Sequence, residues 1–79
     1  MTGNQLKAAR SLVGWTQAQV AQAAGLSIPT IKRAEGASRL GASEDAVAAI
    51  RTALEAAGVE FIEENGGGSG VRLAKPQRD

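Results

Sequence analysis

Residues 15–36 read Trp-Thr-Gln-Ala-Gln-Val-Ala-Gln-Ala-Ala-Gly-Leu-Ser-Ile-Pro-Thr-Ile-Lys-Arg-Ala-Glu-Gly. This stretch gives the clearest indication of the fold. Thr16 is a favourable N-cap and has a glutamine three residues later, which is the spacing of a capping box. Ser27 is a second N-cap residue, and Pro29 falls in the first turn that follows it. Gly25 lies between the two segments, where the chain needs a residue that tolerates positive φ. The stretch therefore predicts two short helices joined by a tight turn.

The apolar residues of this stretch are spaced to lock the turn. Ala21 is small enough to let two steeply crossed helices touch. Four aliphatic side chains are expected to pack around the corner: Val20, Ala24, Leu26 and Ile31. This is the helix-turn-helix pattern, whose second helix enters the major groove of DNA. The spacing of that second helix leaves four side chains pointing outward: Ile28, Pro29, Lys32 and Arg33.

The flanking segments predict two more helices and a hairpin. Residues 3–13 carry apolar side chains at helical spacing and end before Gly14. Ser43 begins a fourth helix, which Gly58 ends. The expected buried stripe of that helix is Val47, Ile50, Leu54 and Ala57. After it the period changes to two, which predicts strands at 59–63 and 71–73 around a glycine-rich loop, with Arg72 opposite Glu60 or Glu63.

The apolar side chains of the predicted hairpin need a partner surface, because a lone two-stranded hairpin is marginal in water. That surface is either the fourth helix of the same chain or the fourth helix and hairpin of a second copy. We expect a homodimer formed by residues 43–74, since helix-turn-helix proteins usually bind DNA as two-fold dimers. The expected interface residues are Val59, Phe61, Ile62, Val71 and Leu73.

Composition limits the function classes. The 79-residue chain has no Cys and no His, which removes disulfides, zinc sites built on those residues and the usual general base. We therefore expect no enzyme, no metal, no cofactor and no small-molecule substrate. The apolar runs are too short to span a membrane, and the N-terminus lacks a signal peptide, so a cytoplasmic location is expected.

Charge is distributed unevenly along the chain. Residues 1–42 carry five Lys and Arg against one Glu, a net +4, whereas residues 43–79 carry four against seven carboxylates, a net −3. A basic first half indicates a polyanionic partner for that half. The acidic second half suits a surface that is held away from DNA.

These residues resemble the phage repressor and Cro-type helix-turn-helix proteins, the xenobiotic-response-element family of bacterial regulators. The resemblance covers roughly residues 3–57 and rests on Trp15-Thr16, Gln17, Ala21, Gly25, Ser27, Ile31 and Glu35-Gly36. It implies a mainly α fold, with a four-helix repressor-like helix-turn-helix domain at residues 1–57 and a short C-terminal β-hairpin. Residues 58–79 would be a dimerisation tail with a frayed C-terminus. The implied function is sequence-specific transcription regulation on double-stranded DNA, with the protein associated with the nucleoid when bound.

The resemblance also implies a set of DNA contacts. Ser27, Ile28 and Pro29 would form the leading edge of the recognition helix at residues 28–35. Lys32 and Arg33 would reach bases or phosphates, with a smaller contribution from Thr30. The remaining expected contacts are with the DNA backbone and come from Arg10, Gln17 and Arg39.

Several of these assignments have alternatives. Arg10 is equally able to pair with Glu35 as a brace between helices, and Gln17 is also a good helix former. Lys32 and Arg33 are also compatible with an ordinary solvated face. Ile28 and Pro29 are apolar where many family members are polar, although Ile28 is able to touch a thymine methyl group. For the whole chain, the alternative function is an antitoxin or protein-interaction adaptor on the same scaffold.

Overall fold

The secondary structure is that of a computed structural model, which describes residues 3–36, 41–62 and 70–74. The elements are α1 (Gly3–Leu12), α2 (Gln17–Ala24), α3 (Ile28–Glu35), α4 (Glu44–Ala56), β1 (Val59–Ile62) and β2 (Gly70–Leu73). The prediction of a mainly α chain with four helices followed by a C-terminal hairpin is confirmed. Arg39 and Glu63 lie outside the described residues.

Side-chain caps begin three of the helices, at the residues that the sequence indicated. Thr16 and Gln19 form the complete capping box of α2, with Thr16 Oγ1 accepting from the Gln19 N–H and Gln19 Oε1 accepting from the Thr16 N–H. Ser27 Oγ accepts from the Thr30 N–H at the start of α3. Ser43 Oγ accepts from the Ala46 N–H at the start of α4. Each cap satisfies a backbone donor that the first helical turn leaves without a partner.

The turn between α2 and α3 depends on Gly25, which has φ of +72°. The next residue closes the turn, since the Leu26 N–H donates to the Ala21 carbonyl at 2.9 Å. A side chain at position 25 would be strained in this left-handed conformation. The predicted tight turn is confirmed.

The four helices and β1 bury residues in one apolar core, and the half-buried Val71 of β2 packs against it. Its buried members are Leu6, Ala9, Val20, Ala21, Ile31, Ala34, Ile50, Leu54, Val59 and Phe61. The predicted face of α4 is partly wrong, because Val47 and Ala57 are only half-buried while Ala46 and Ala53 are buried. The buried face of α4 is therefore shifted toward the alanines beside Ile50 and Leu54.

A close approach of backbones joins α1 to the end of α3. A Cβ atom on Gly3 would lie 2.8 Å from the Ala34 carbonyl oxygen and 2.9 Å from those of Glu35 and Gly36. The glycine is therefore required by space. The arrangement brings the positive end of one helix dipole to the negative end of another, which is favourable.

The hairpin packs on its own chain. β1 and β2 are antiparallel, with Glu60 opposite Arg72 as one of the two predicted pairings. Val59 and Phe61 are buried in the chain's own core, and Leu73 is exposed. Of the two partner surfaces left open by the sequence, the structure shows the one within the chain, with α1 contributing beside α4. A dimer interface at Val59 and Phe61 would require this packing to open; the homodimer itself stays a prediction.

Candidate nucleic-acid interface

Helix α3 has one buried face and one solvent face. Ile31, Ala34 and Glu35 are buried against the rest of the domain. The exposed side chains, together with the N-cap that precedes the helix, are Ser27, Ile28, Pro29, Lys32 and Arg33. The outward orientation predicted from spacing is therefore confirmed. The outer face of this two-turn helix is thus apolar in its first turn, at Ile28 and Pro29, and basic in its second, at Lys32 and Arg33.

A row of hydrogen bonds runs along this outer face. The hydroxyl groups of Ser27 and Thr30 are 2.8 Å apart, and Arg33 Nη2 donates to Thr30 Oγ1 at 3.3 Å. The three residues are spaced at i, i+3 and i+6 and so lie above one another on the helix. The row draws the Arg33 guanidinium toward the N-terminal end of α3, where it keeps further N–H donors for a ligand.

The basic character of the first half is concentrated on the surface. Lys7, Lys32 and Arg33 are exposed, whereas Glu35, the one carboxylate in residues 3–36, is 8% exposed. Within the described parts of the chain, neither Lys32 nor Arg33 forms an ion pair. Three cations therefore face solvent on α1 and α3 without a neutralising acid from the same segment, which favours a polyanionic partner.

Glu35 is the acceptor of a buried polar cluster that joins three helices. Arg10 on α1 donates to it twice, from Nε to Oε2 at 2.7 Å and from Nη2 to Oε1 at 3.1 Å. Gln17 on α2 donates from Nε2 to Oε1 at 3.1 Å. Arg10 Nη1 also donates to the Trp15 carbonyl. Among the described residues, every buried side-chain polar atom has a partner.

This cluster bears on the two roles considered for Arg10. The Arg10–Glu35 brace is confirmed, and it fixes α1 relative to α3. Gln17 was expected to contact the DNA backbone. In the structure its side-chain amide is turned inward and donates to Glu35. The DNA contacts of Arg10 and Gln17 stay predictions. The sequence signal for the Gln17 contact was weak, because nothing in local spacing relates positions 17 and 35.

One buried polar residue was missed by the sequence analysis. Gln5 on α1 is 9% exposed, and its Nε2 donates to the Gly70 carbonyl at 3.2 Å and to the Ile62 carbonyl at 3.5 Å. These two residues face each other at one end of the hairpin. Gln5 lies four residues before the buried Ala9, so helical spacing placed it on the core face. Gln5 thus ties the hairpin to the first helix.

Two further properties bear on the class of site. The described residues bring together no group of three potential metal ligands. None of the helices in residues 3–36 and 41–62 is long and apolar enough to cross a membrane.

A comparison with protein families agrees with this geometry. A family model described as a helix-turn-helix domain matches residues 3–61, which covers the four helices and most of β1. No curated protein matches the chain.

Proposed function

Because the chain belongs to the helix-turn-helix domain family, a family of xenobiotic-response-element-like bacterial DNA-binding regulators, we propose that it is a sequence-specific transcriptional regulator that binds its operator as a homodimer through α3. At the coarser level, family membership makes the chain a DNA-binding regulator. We infer further that it is of the phage repressor and Cro type.

The outer face of α3 carries the proposal. It exposes Lys32 and Arg33, which form no ion pair with the described residues, while the acidic Glu35 of the same helix is buried beneath it. In our proposal this face lies in the major groove. Arg33 donates to the O6 and N7 atoms of a guanine, which is the commonest specific contact of an arginine with DNA. Lys32 contacts a base or a phosphate.

The remaining predicted contacts belong to the same docking. Ser27 caps α3, Thr30 lies in its first turn, and Gln17 is the first residue of α2. Arg10 has five N–H donors, of which three bind Glu35 and Trp15, so at most two are left for a phosphate. We therefore assign to Arg10 chiefly the role of positioning α3 through Glu35.

A homodimer follows from the size of the contact. One two-turn helix touches few base pairs, and a two-fold dimer doubles the site with half-sites about 34 Å apart. The half-buried Ile62 and Val71 and the exposed Leu73 are the apolar hairpin residues accessible to a second copy. Sedimentation equilibrium should show dimers at micromolar concentration, and a purely monomeric protein would remove the dimer from the proposal.

The decisive experiment compares selected DNA with unrelated DNA. A binding site is selected from a random duplex library, and affinities are measured by fluorescence anisotropy at two salt concentrations. We expect the selected site to bind about a thousandfold tighter or more. Arg33→Ala should lower the affinity for the selected site by about 5- to 150-fold and relax the base preference at one base pair. Lys32→Ala, if it loses a phosphate contact, should weaken all DNAs alike and lower the salt slope by about one.

Arg72→Ala is the matched control, because it removes one exposed arginine charge from the hairpin and leaves α3 untouched. It should change the affinity far less than Arg33→Ala. Equal losses in both variants, or equally weak binding of all DNAs that disappears with salt, would reduce the interaction to non-specific electrostatics. That result would favour the adaptor or antitoxin alternative.

A further inference from the structure

Ile28 carries an apolar side chain on the solvent face of α3. It is the first residue of α3 and 41% exposed. It belongs neither to the buried core nor to the half-buried residues packed against it. Two other large hydrophobic side chains of the described residues are similarly exposed, Leu12 and Leu73, and neither lies on α3. The apolar group of Ile28 is therefore accessible to a ligand, at the leading edge of the face proposed to enter the major groove.

The neighbours of Ile28 offer few hydrogen-bond donors at this point. Pro29 follows it, is also exposed and has no backbone N–H. The Ser27 and Thr30 hydroxyl groups bond to each other, and Ser27 Oγ also accepts from the Thr30 N–H. Thr30 Oγ1 accepts in turn from Arg33 Nη2, so one hydroxyl hydrogen of the two stays available. The first turn of α3 thus presents an apolar surface with one available hydroxyl hydrogen beside it.

The base edges of the major groove offer one apolar group, the 5-methyl group of thymine. Resting on the proposed function, we propose that Ile28 is a specificity-determining residue that packs against a thymine methyl in each half-site. Contact removes both apolar surfaces from water, and Pro29 contributes no backbone N–H that the contact would bury without a partner. Guanine recognition by Arg33 and methyl recognition by Ile28 would then be separate parts of the readout.

Replacing thymine by uracil tests this directly, because it removes the methyl group and preserves every hydrogen-bonding atom of the pair. Each thymine of the selected site is replaced singly, and affinities are measured for the full-length protein. We expect one thymine in each half-site to lose about fourfold on replacement, the effect of one buried methyl group. Ile28→Ala should bind the thymine and uracil duplexes equally, and Ile28→Val should keep part of the difference.

Leu12→Ala is the matched control, since Leu12 is an aliphatic residue with the same 41% exposure on α1. It should retain the full uracil penalty. Circular dichroism verifies that each variant is folded. A uracil penalty that is the same in the wild type and in Ile28→Ala, or no penalty at any thymine, overturns the proposal.

Cytosine methylated at C5 carries the same methyl group, so a second arm compares cytosine with 5-methylcytosine at each cytosine of the site. We expect no gain that depends on Ile28. If 5-methylcytosine raises the affinity in an Ile28-dependent way and uracil has no effect, the assignment to thymine is overturned. The outcome also separates the two proposals: DNA preference without an Ile28-dependent uracil effect refutes the methyl contact alone, whereas no DNA preference refutes the regulator itself.

Discussion

Two arginine–glutamate pairs hold different parts of this molecule, and they are almost alike in distance. Arg10 Nε lies 2.7 Å from Glu35 Oε2 in the helical region, and Arg72 Nε lies 2.9 Å from Glu60 Oε1 on the hairpin. Their surroundings differ greatly. The side chains of the first pair are 18% and 5% exposed, and those of the second are 64% and 49% exposed.

Burial therefore separates the two pairs. Removing one partner of a buried pair leaves an uncompensated charge in the protein interior, which solvates charge poorly. Water readily replaces either partner of an exposed pair. The helical region uses its pair to fix the orientation of three helices. The hairpin gains little from its own pair and depends on apolar packing and on Gln5.

The largest expected effect comes from removing the buried acceptor. Glu35→Ala leaves Arg10 and Gln17 without their shared partner, and we expect a loss of about 3 kcal/mol in unfolding free energy. In a domain of this size the Tm should fall by more than about 10 °C. Glu60→Ala is the control, because it removes the acceptor of the exposed pair. Equal Tm values for the two variants would contradict the distinction drawn from burial.

Gln5→Leu tests the connection between the helical region and the hairpin. The change removes the amide that donates to the Gly70 carbonyl, and we expect a loss of about 1–2 kcal/mol in unfolding free energy. Amide hydrogen exchange should accelerate in β1 and β2 more than in α2. Gln22→Leu, an exposed glutamine on α2, should change neither quantity. Uniform acceleration over all elements would show that Gln5 supports the whole core and not the hairpin in particular.

A double replacement shows whether the buried pair stabilises the fold or chiefly orients it. Arg10→Met combined with Glu35→Leu substitutes apolar side chains for both charges, and such replacements are often nearly neutral. Chemical denaturation should give a stability within about 1 kcal/mol of the wild type, well above that of Glu35→Ala. A double variant as unstable as Glu35→Ala would mean that the hydrogen bonds to Trp15 and Gln17 carry the stability.

Arg72→Ala should have the smallest effect, with no resolvable change in Tm. The pair is still visible in titration, because the hydrogen bond from Arg72, and then its charge, hold the pKa of the Glu60 carboxyl below its ordinary value of 4.5. A folded-state pKa below the unfolded one adds stability above the unfolded value, and this is lost as the pH falls through the folded value. NMR titration should show the Glu60 pKa rising in Arg72→Ala; an unchanged pKa would mean that the pair does not persist in solution.

Local signals in the sequence predicted most of the helical region. N-caps and glycines act within a few residues, so the starts of α2, α3 and α4 and the turn at Gly25 followed from short-range chemistry. Helical spacing likewise predicted the outer face of α3. The rotation of the α4 face toward Ala46 and Ala53 was not predictable, because an alanine carries too little apolar surface to mark a face by itself.

The order of the elements, the helix-turn-helix pattern and the basic character of the first half were predictable, because they depend on neighbouring residues and on composition. The meeting of distant groups became visible in the fold alone. The fold brought Gln17 and Arg10 to Glu35, Gln5 to the end of the hairpin, and the hairpin to its own chain's α1 and α4. The hydrogen bonds among these contacts join residues 18 to 65 positions apart, and no local periodicity encodes such pairings.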